Sequence, residues 1–154
     1  MSESLRTDST SLRVLAHALC DESHRCLAAG LPLEAYGHSC LACDLSDTLE
    51  DLALSAKALD CKGECLRRMR KFPDAIATHQ RALEAAYRCG DRIRQARVGC
   101  RLALSYARQG HRDVALATLQ RALETLALLG IPDHGLWRMR RVLRALEAVP
   151  APRA

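Results

Sequence analysis

The stretch AKALDCKGECLRRMRKFPDAIATHQRALEAA, residues Ala56–Ala86, reads as two helices joined at Phe72-Pro73-Asp74. It recurs. Shifting the chain by 40 residues aligns Ser23, Gly63 and Ala103. The same shift aligns Ala35, Ala75 and Ala115, and then Ala42, Ala82 and Ala122. Cys43, Leu83 and Leu123 follow one place later. Small residues at fixed offsets over a period of this size mark a stacked helical array.

Composition agrees with that reading. A chain of 154 residues is one domain or one short solenoid. Aromatic residues make up only 3%, so Leu and Ala must carry the packing, and both favour helices. β-Branched residues are few, which argues against a sheet. The net charge is +5, and three of the 23 basic residues are lysine (Lys57, Lys62 and Lys71), the rest arginine. A basic balance favours acidic partners. No apolar run is long enough to cross a bilayer as a helix. The start, MSESLRTDST, lacks the basic-then-apolar order of a secretory signal. The expected location is therefore the cytoplasm, where eight cysteines stay reduced.

Taken in order, residues 1–9 read as a disordered tail, with N-caps for the first helix among Thr7, Asp8, Ser9 and Thr10. Gly30 ends that helix, and Pro32 opens the second. Asp44 to Asp47 reads as a break. Asp47-Thr48-Leu49-Glu50 resembles a capping box for a third and longest helix, about 48–70. A fourth helix starts near Pro73, a fifth runs from Asp91 to about Gln109, and a sixth covers about 113–129. Gly130-Ile131-Pro132-Asp133 is the clearest break before a seventh helix, about 134–148. The repeats are then about 16–49, 56–89 and 96–129, within a domain of 10–149, followed by a tail of 150–154. Leu143 of the seventh helix falls where the repeats carry Ser23, Gly63 and Ala103, so this helix reads as the cap on the open end.

These small-residue positions resemble the tetratricopeptide repeat family, over about residues 16–149. The resemblance implies an all-α, right-handed solenoid of three helix-turn-helix units plus the capping helix. Tyr106 stands where the family has tyrosine, and Leu19, Leu59 and Gly99 stand where it has tryptophan. The period is 40 rather than about 34, which places six extra residues between repeats. It is similar to the long-repeat variants of kinesin light chains and bacterial signalling and transcription regulators.

In this family the first helices line a concave groove that takes peptides. The resemblance places His17, Cys20, His24, Leu27 and Ala28 there from the first repeat, and Lys57, Asp60, Glu64, Arg67 and Arg68 from the second. The third gives Arg97, Cys100, Leu104, Ala107 and Arg108, and the capping helix gives Trp137, Arg140 and Arg144. The basic groups among them suit carboxylates or phosphates, with Trp137 as an apolar anchor. The implied function is non-catalytic binding of an acidic or extended protein segment in a bacterial regulatory or signalling assembly. The asparagines of the chaperone-binding carboxylate clamp are absent, since the chain has no Asn.

Two other classes compete. His17, Cys20 and His24 share one helix face and, with Cys100, offer zinc or copper ligand types. Cys26 and Cys43, however, take core positions, where a thiol acts as a small hydrophobe. The expectation is therefore no metal and no cofactor. Self-association as a homodimer through the apolar solenoid ends is the other rival. No phosphate loop, nucleophile elbow or His-Glu-x-x-His motif points to an enzyme. No helix-turn-helix with a polar recognition helix points to nucleic acid.

Overall fold

The computed structural model describes residues 2–131 and 137–148, with side chains from residue 8 onward. Seven helices follow one another: α1 (Ser2–Ala28), α2 (Pro32–Thr48), α3 (Leu52–Arg68), α4 (Phe72–Arg88), α5 (Arg92–Arg108), α6 (Arg112–Leu128) and α7 (Trp137–Ala148). The described residues contain no strand. Successive helices pack as neighbours from α1 to α6, and α1 also touches α3, as α3 touches α5. No comparable contact joins α2 to α4 or α4 to α6 among the described residues. The odd-numbered helices thus line one side of the stack. The all-α repeat architecture expected from the small-residue pattern is the one observed.

The turns explain why the period is 40. Every helix from α2 to α6 has 17 residues, and a left-handed residue recurs every 20 positions: Gly30, Glu50, Arg70, Gly90, Gly110 and Gly130. After each, an N–H reaches back to close the helix, as from Leu31 to the Cys26 carbonyl (2.9 Å) and from Lys71 to the Leu66 carbonyl (2.9 Å). Turns within and between repeats are alike. The six extra residues therefore lie in longer helices, not between repeats. At two of these turns the left-handed residue carries a side chain, Glu50 (φ 49°) and Arg70 (φ 62°), where glycine would be unstrained.

Several expected boundaries move accordingly. Residues 2–9, expected as a disordered tail, are the first turns of α1, which is also the longest helix. The expected break at Asp44–Asp47 is helical, and α2 continues to Thr48. Its serine stays local, because Ser46 Oγ donates to the Cys43 carbonyl at 2.8 Å. The cap of α3 is Asp51 rather than Asp47: its carboxylate accepts the Leu54 N–H at 3.0 Å. The left-handed Glu50 stops α2 first, so the next residue in line becomes the cap. The expected start of the seventh helix at 134–136 and the tail 150–154 lie outside the described residues.

All nine aligned small residues are buried. They allow the paired helices to approach closely. The volumes are matched across each pair. Gly63 faces the ring of His79, and a Cβ placed on Gly63 would lie 2.5 Å from His79 Cδ2. In the third repeat the corresponding residues are Ala103 and Leu119, and both belong to one core cluster. Gly63→Ala is expected to cost about 1 kcal/mol net. Overpacking of about 1–3 kcal/mol outweighs the roughly 1 kcal/mol that alanine gains in helix propensity. Gly37, exposed on α2 with nothing near its Cβ position, is the internal comparison. Gly37→Ala should stabilise by about 0.5–1 kcal/mol. Urea unfolding of both variants checks this, and equal shifts would remove the close-approach argument.

The capping helix is held by two kinds of contact. Met139, Val142, Leu143 and Leu146 pack on the cluster formed by Leu119, Leu123 and Leu126 of α6 with α5. Arg112 of α6 donates to the carbonyls of Leu146 (2.7 Å) and Glu147 (3.3 Å). Those carbonyls lack partners within their own helix, and a guanidinium also complements the helix's negative end. Helix α7 buries no residue fully, so it covers the end without sealing it.

Candidate functional site

The groove positions of α3 divide by burial. Asp60 and Glu64, one turn apart, are buried, whereas Arg68 is exposed. Asp60 Oδ2 lies 2.5 Å from Arg101 Nη1 and 3.8 Å from Arg94 Nη1, both from α5. Its other oxygen is 3.7 Å from Nε2 of His79, which reaches across from α4. Asp60 Oδ1, Arg101 Nη1 and both His79 ring nitrogens are buried without a directed hydrogen bond among the described residues. Burial, helped by the Arg101 guanidinium, lowers the His79 imidazole to about 4, although Asp60 pulls the other way.

Glu64 is held by a two-pronged bond from Arg67, Nε to Oε2 at 2.8 Å and Nη2 to Oε1 at 2.6 Å. Arg68 Nε adds a third bond at 3.0 Å. Burial alone would raise this carboxyl, but the Arg67 and Arg68 bonds hold it down at about 2. Asp60 and Glu64 are thus not presented to a ligand. They fix the arginines around them.

Those arginines open onto a pocket. Arg67 and Arg68 from the end of α3, Arg70 from the turn, Phe72 from the start of α4 and Arg108 from the end of α5 line a cavity of 250 Å³. Among the described residues Arg70 and Arg108 are exposed and pair with no carboxylate. The pocket sits at one edge of the face made by the odd-numbered helices.

The other expected groove residues lie elsewhere. Lys57 is drawn to Asp21 (2.9 Å) and to His17 Nδ1 (3.3 Å), an exposed link between α1 and α3. Leu104 is half-buried, and Arg97 is exposed. Trp137 is exposed and stacked under the guanidinium of Arg138 at 5.3 Å. Arg140 and Arg144 line a separate cavity of 510 Å³ between α6 and α7, together with Glu124 and Leu143. Among the expected groove residues, Arg67, Arg68 and Arg108 thus line one cavity and Arg140 and Arg144 another. On the first hairpin Val14, Leu15, Leu31, Leu33 and Leu41 stand exposed.

The three metal candidates are not brought together. Cys20 is fully buried, and its thiol meets that of Cys61. His24 stands 3.8 Å from Cys61 Sγ, while His17 turns to Lys57. Cys100 is buried in the cluster at the other end of the stack.

Comparison with known proteins agrees with the repeat pattern. Residues 54–127 match the family model described as "Tetratricopeptide repeat". Those residues carry tetratricopeptide repeats. The tetratricopeptide repeat domain of FLU from Arabidopsis, a solved structure, superposes with a TM-score of 0.69 at 20% identity, covering 76% of this chain and 98% of that one. At that identity the likeness concerns the fold. No curated protein matches the sequence.

Within this tetratricopeptide array, five important residues escape a reading by groove position. Arg70 and Phe72 belong to a turn and a second helix, and His79, Arg94 and Arg101 lie off the groove stripe. One signal was available: His79 pairs by register with Gly63, and a large residue opposite a glycine is a close fit visible in the period alone.

Proposed function

We propose that this chain is a non-catalytic interaction module that binds an acidic, extended protein segment along the face of its odd-numbered helices. The pocket formed by Arg67, Arg68, Arg70 and Arg108 carries this reading. Four guanidiniums around one cavity suit carboxylates: the planar forks of Arg70 and Arg108 can make paired bonds to a carboxylate, and Arg67 and Arg68, held by Glu64, add positive charge. Phe72 gives the same pocket an apolar wall. Two of the four are already fixed by Glu64, so less side-chain freedom is lost when a ligand arrives. The resemblance to long-repeat bacterial regulators favours a place in a regulatory or signalling assembly. The described helices include none long and apolar enough to cross a membrane.

Fluorescence anisotropy with a labelled poly-glutamate peptide tests the proposal. Wild type should bind it, and a poly-lysine control should not bind. Arg70→Glu and Arg108→Glu should each weaken binding about tenfold, the scale of one charge-assisted contact. Arg88→Glu carries the same charge change at an exposed site on α4 outside the pocket and should have little effect. Equal losses in all three variants would reduce the pocket to general charge attraction and end this reading.

A further inference from the structure

The first hairpin carries a cluster that the binding pocket does not use. Glu22 and Cys26 stand one turn apart on α1, and His38 faces them from α2. One ligand atom from each, a carboxylate oxygen, a thiol sulfur and an imidazole nitrogen, lies within 4.8 Å of the other two. Among the described residues this is the only group of three such side chains that close. Cys26 Sγ is 3.9 Å from Glu22 Oε1. A tetrahedral zinc ion with bonds of about 2.0–2.3 Å needs ligand atoms roughly 3.3–3.8 Å apart. Small side-chain rotations reach that spacing, with no movement of the helices.

We propose that Glu22, Cys26 and His38 form a three-ligand site for a zinc-class divalent ion, with the fourth position open to water or to a group from a partner. Three observations support it beyond proximity. The donor set is mixed sulfur, nitrogen and oxygen, which suits zinc better than magnesium or calcium. All three side chains are half-buried, so an ion can enter and one position stays accessible. Glu22 is also already oriented: its Oε2 pairs with Arg25 Nη2 at 2.5 Å, while Oε1 points to Cys26. An outer partner that fixes a ligating carboxylate is a common part of such sites.

The repeat supplies a control within the chain. The corresponding positions in the second repeat hold Lys62, Leu66 and Thr78, and in the third Leu102, Tyr106 and Thr118. Each hairpin brings these positions to the same corner, yet only the first fills all three with metal-binding groups. On binding, Cys26 coordinates as thiolate and its proton passes to solvent.

The test uses the full chain, purified reduced and stripped of metal, titrated with Co²⁺ and then Zn²⁺. One equivalent of Co²⁺ should bind with a thiolate-to-cobalt charge-transfer band, and Zn²⁺ should displace it. Cys26→Ser should abolish the band, and His38→Gln should weaken Zn²⁺ binding at least about tenfold in calorimetry. Cys89→Ser, which changes an exposed thiol elsewhere, should leave both unchanged. Circular dichroism confirms that each variant is folded; if Cys26→Ser is not, His38→Gln alone decides. No stoichiometric binding, a band that survives Cys26→Ser, or wild-type affinity in His38→Gln would each overturn the site.

Discussion

Asp60→Ala should cost about 3–5 kcal/mol of stability, because it leaves a guanidinium without its counter-charge in the interior. Arg101 lies 2.5 Å from the Asp60 carboxylate, whose side chain is only 6% exposed. Arg101 itself is 29% exposed and can recover some water, which favours the lower end of the range. Arg94 keeps a second partner in Asp91 at 3.3 Å and is less affected. For a chain of this size the loss corresponds to a fall in Tm of about 10 °C. The double change Asp60→Leu/Arg101→Leu should recover most of it, since apolar packing often replaces a buried pair without penalty. Urea unfolding of the two single variants and the double variant gives the coupling energy. A loss below about 1 kcal/mol for Asp60→Ala would mean that the pair is effectively solvated and not a structural link between α3 and α5.

Acid should unfold the protein in two stages, the first through His79. In the unfolded chain this imidazole takes a proton near pH 6.5, but in the fold only near 4. Between those values the unfolded state binds more protons, so stability falls as pH falls. The contribution is fully present above 6.5, and about 2 kcal/mol of it should be gone by pH 5. Arg101 and Arg67 oppose the imidazolium, while Asp60 and Glu64 favour it; burial dominates. Glu64 acts lower down. Its carboxyl is held at about 2, below the ordinary 4.5, so its contribution is present above 4.5 and lost as pH falls toward 2. His79→Leu keeps a large apolar group against Gly63 and removes the first stage only. Urea midpoints at pH 7 and pH 5 should therefore converge in His79→Leu. An unchanged pH 7-to-5 difference in that variant would assign the acid sensitivity to other groups.

The repeat was legible because its cause is local and periodic. A position where two helices touch must be small in every unit, so Ser23, Gly63 and Ala103 announce themselves by register alone. Helix ends were less legible. Asp47 and Asp51 are equally good caps in sequence, and the backbone at Glu50 selects between them by turning left-handed one residue before Asp51. Nothing in the identity of a glutamate signals that conformation. The extra six residues were misplaced for the same reason: turns closed by Glu50 and Arg70 lack the glycine that marks the other four.

The candidate site divides along the same line. Groove positions were implied by the family resemblance, and they include Arg67, Arg68 and Arg108. They also include Asp60 and Glu64, because a position in the repeat reports which face a residue occupies and not whether a neighbour covers it. The covering groups come from distances along the chain of 34 and 41 residues, with Arg94 and Arg101 reaching Asp60 from α5. Pairings at that separation depend on how α3, α4 and α5 pack, and on long side chains choosing one carboxylate among several.

The sequence by itself determined the helical repeat, the small-residue contacts and the basic character of one face, since each follows from local propensity, periodicity or charge count. Only the tertiary structure decided which charges are buried, which arginines line each of the two cavities, and that Glu22, Cys26 and His38 converge. Those outcomes depend on the placement of side chains from different helices to within a few ångströms, and helix packing sets that placement.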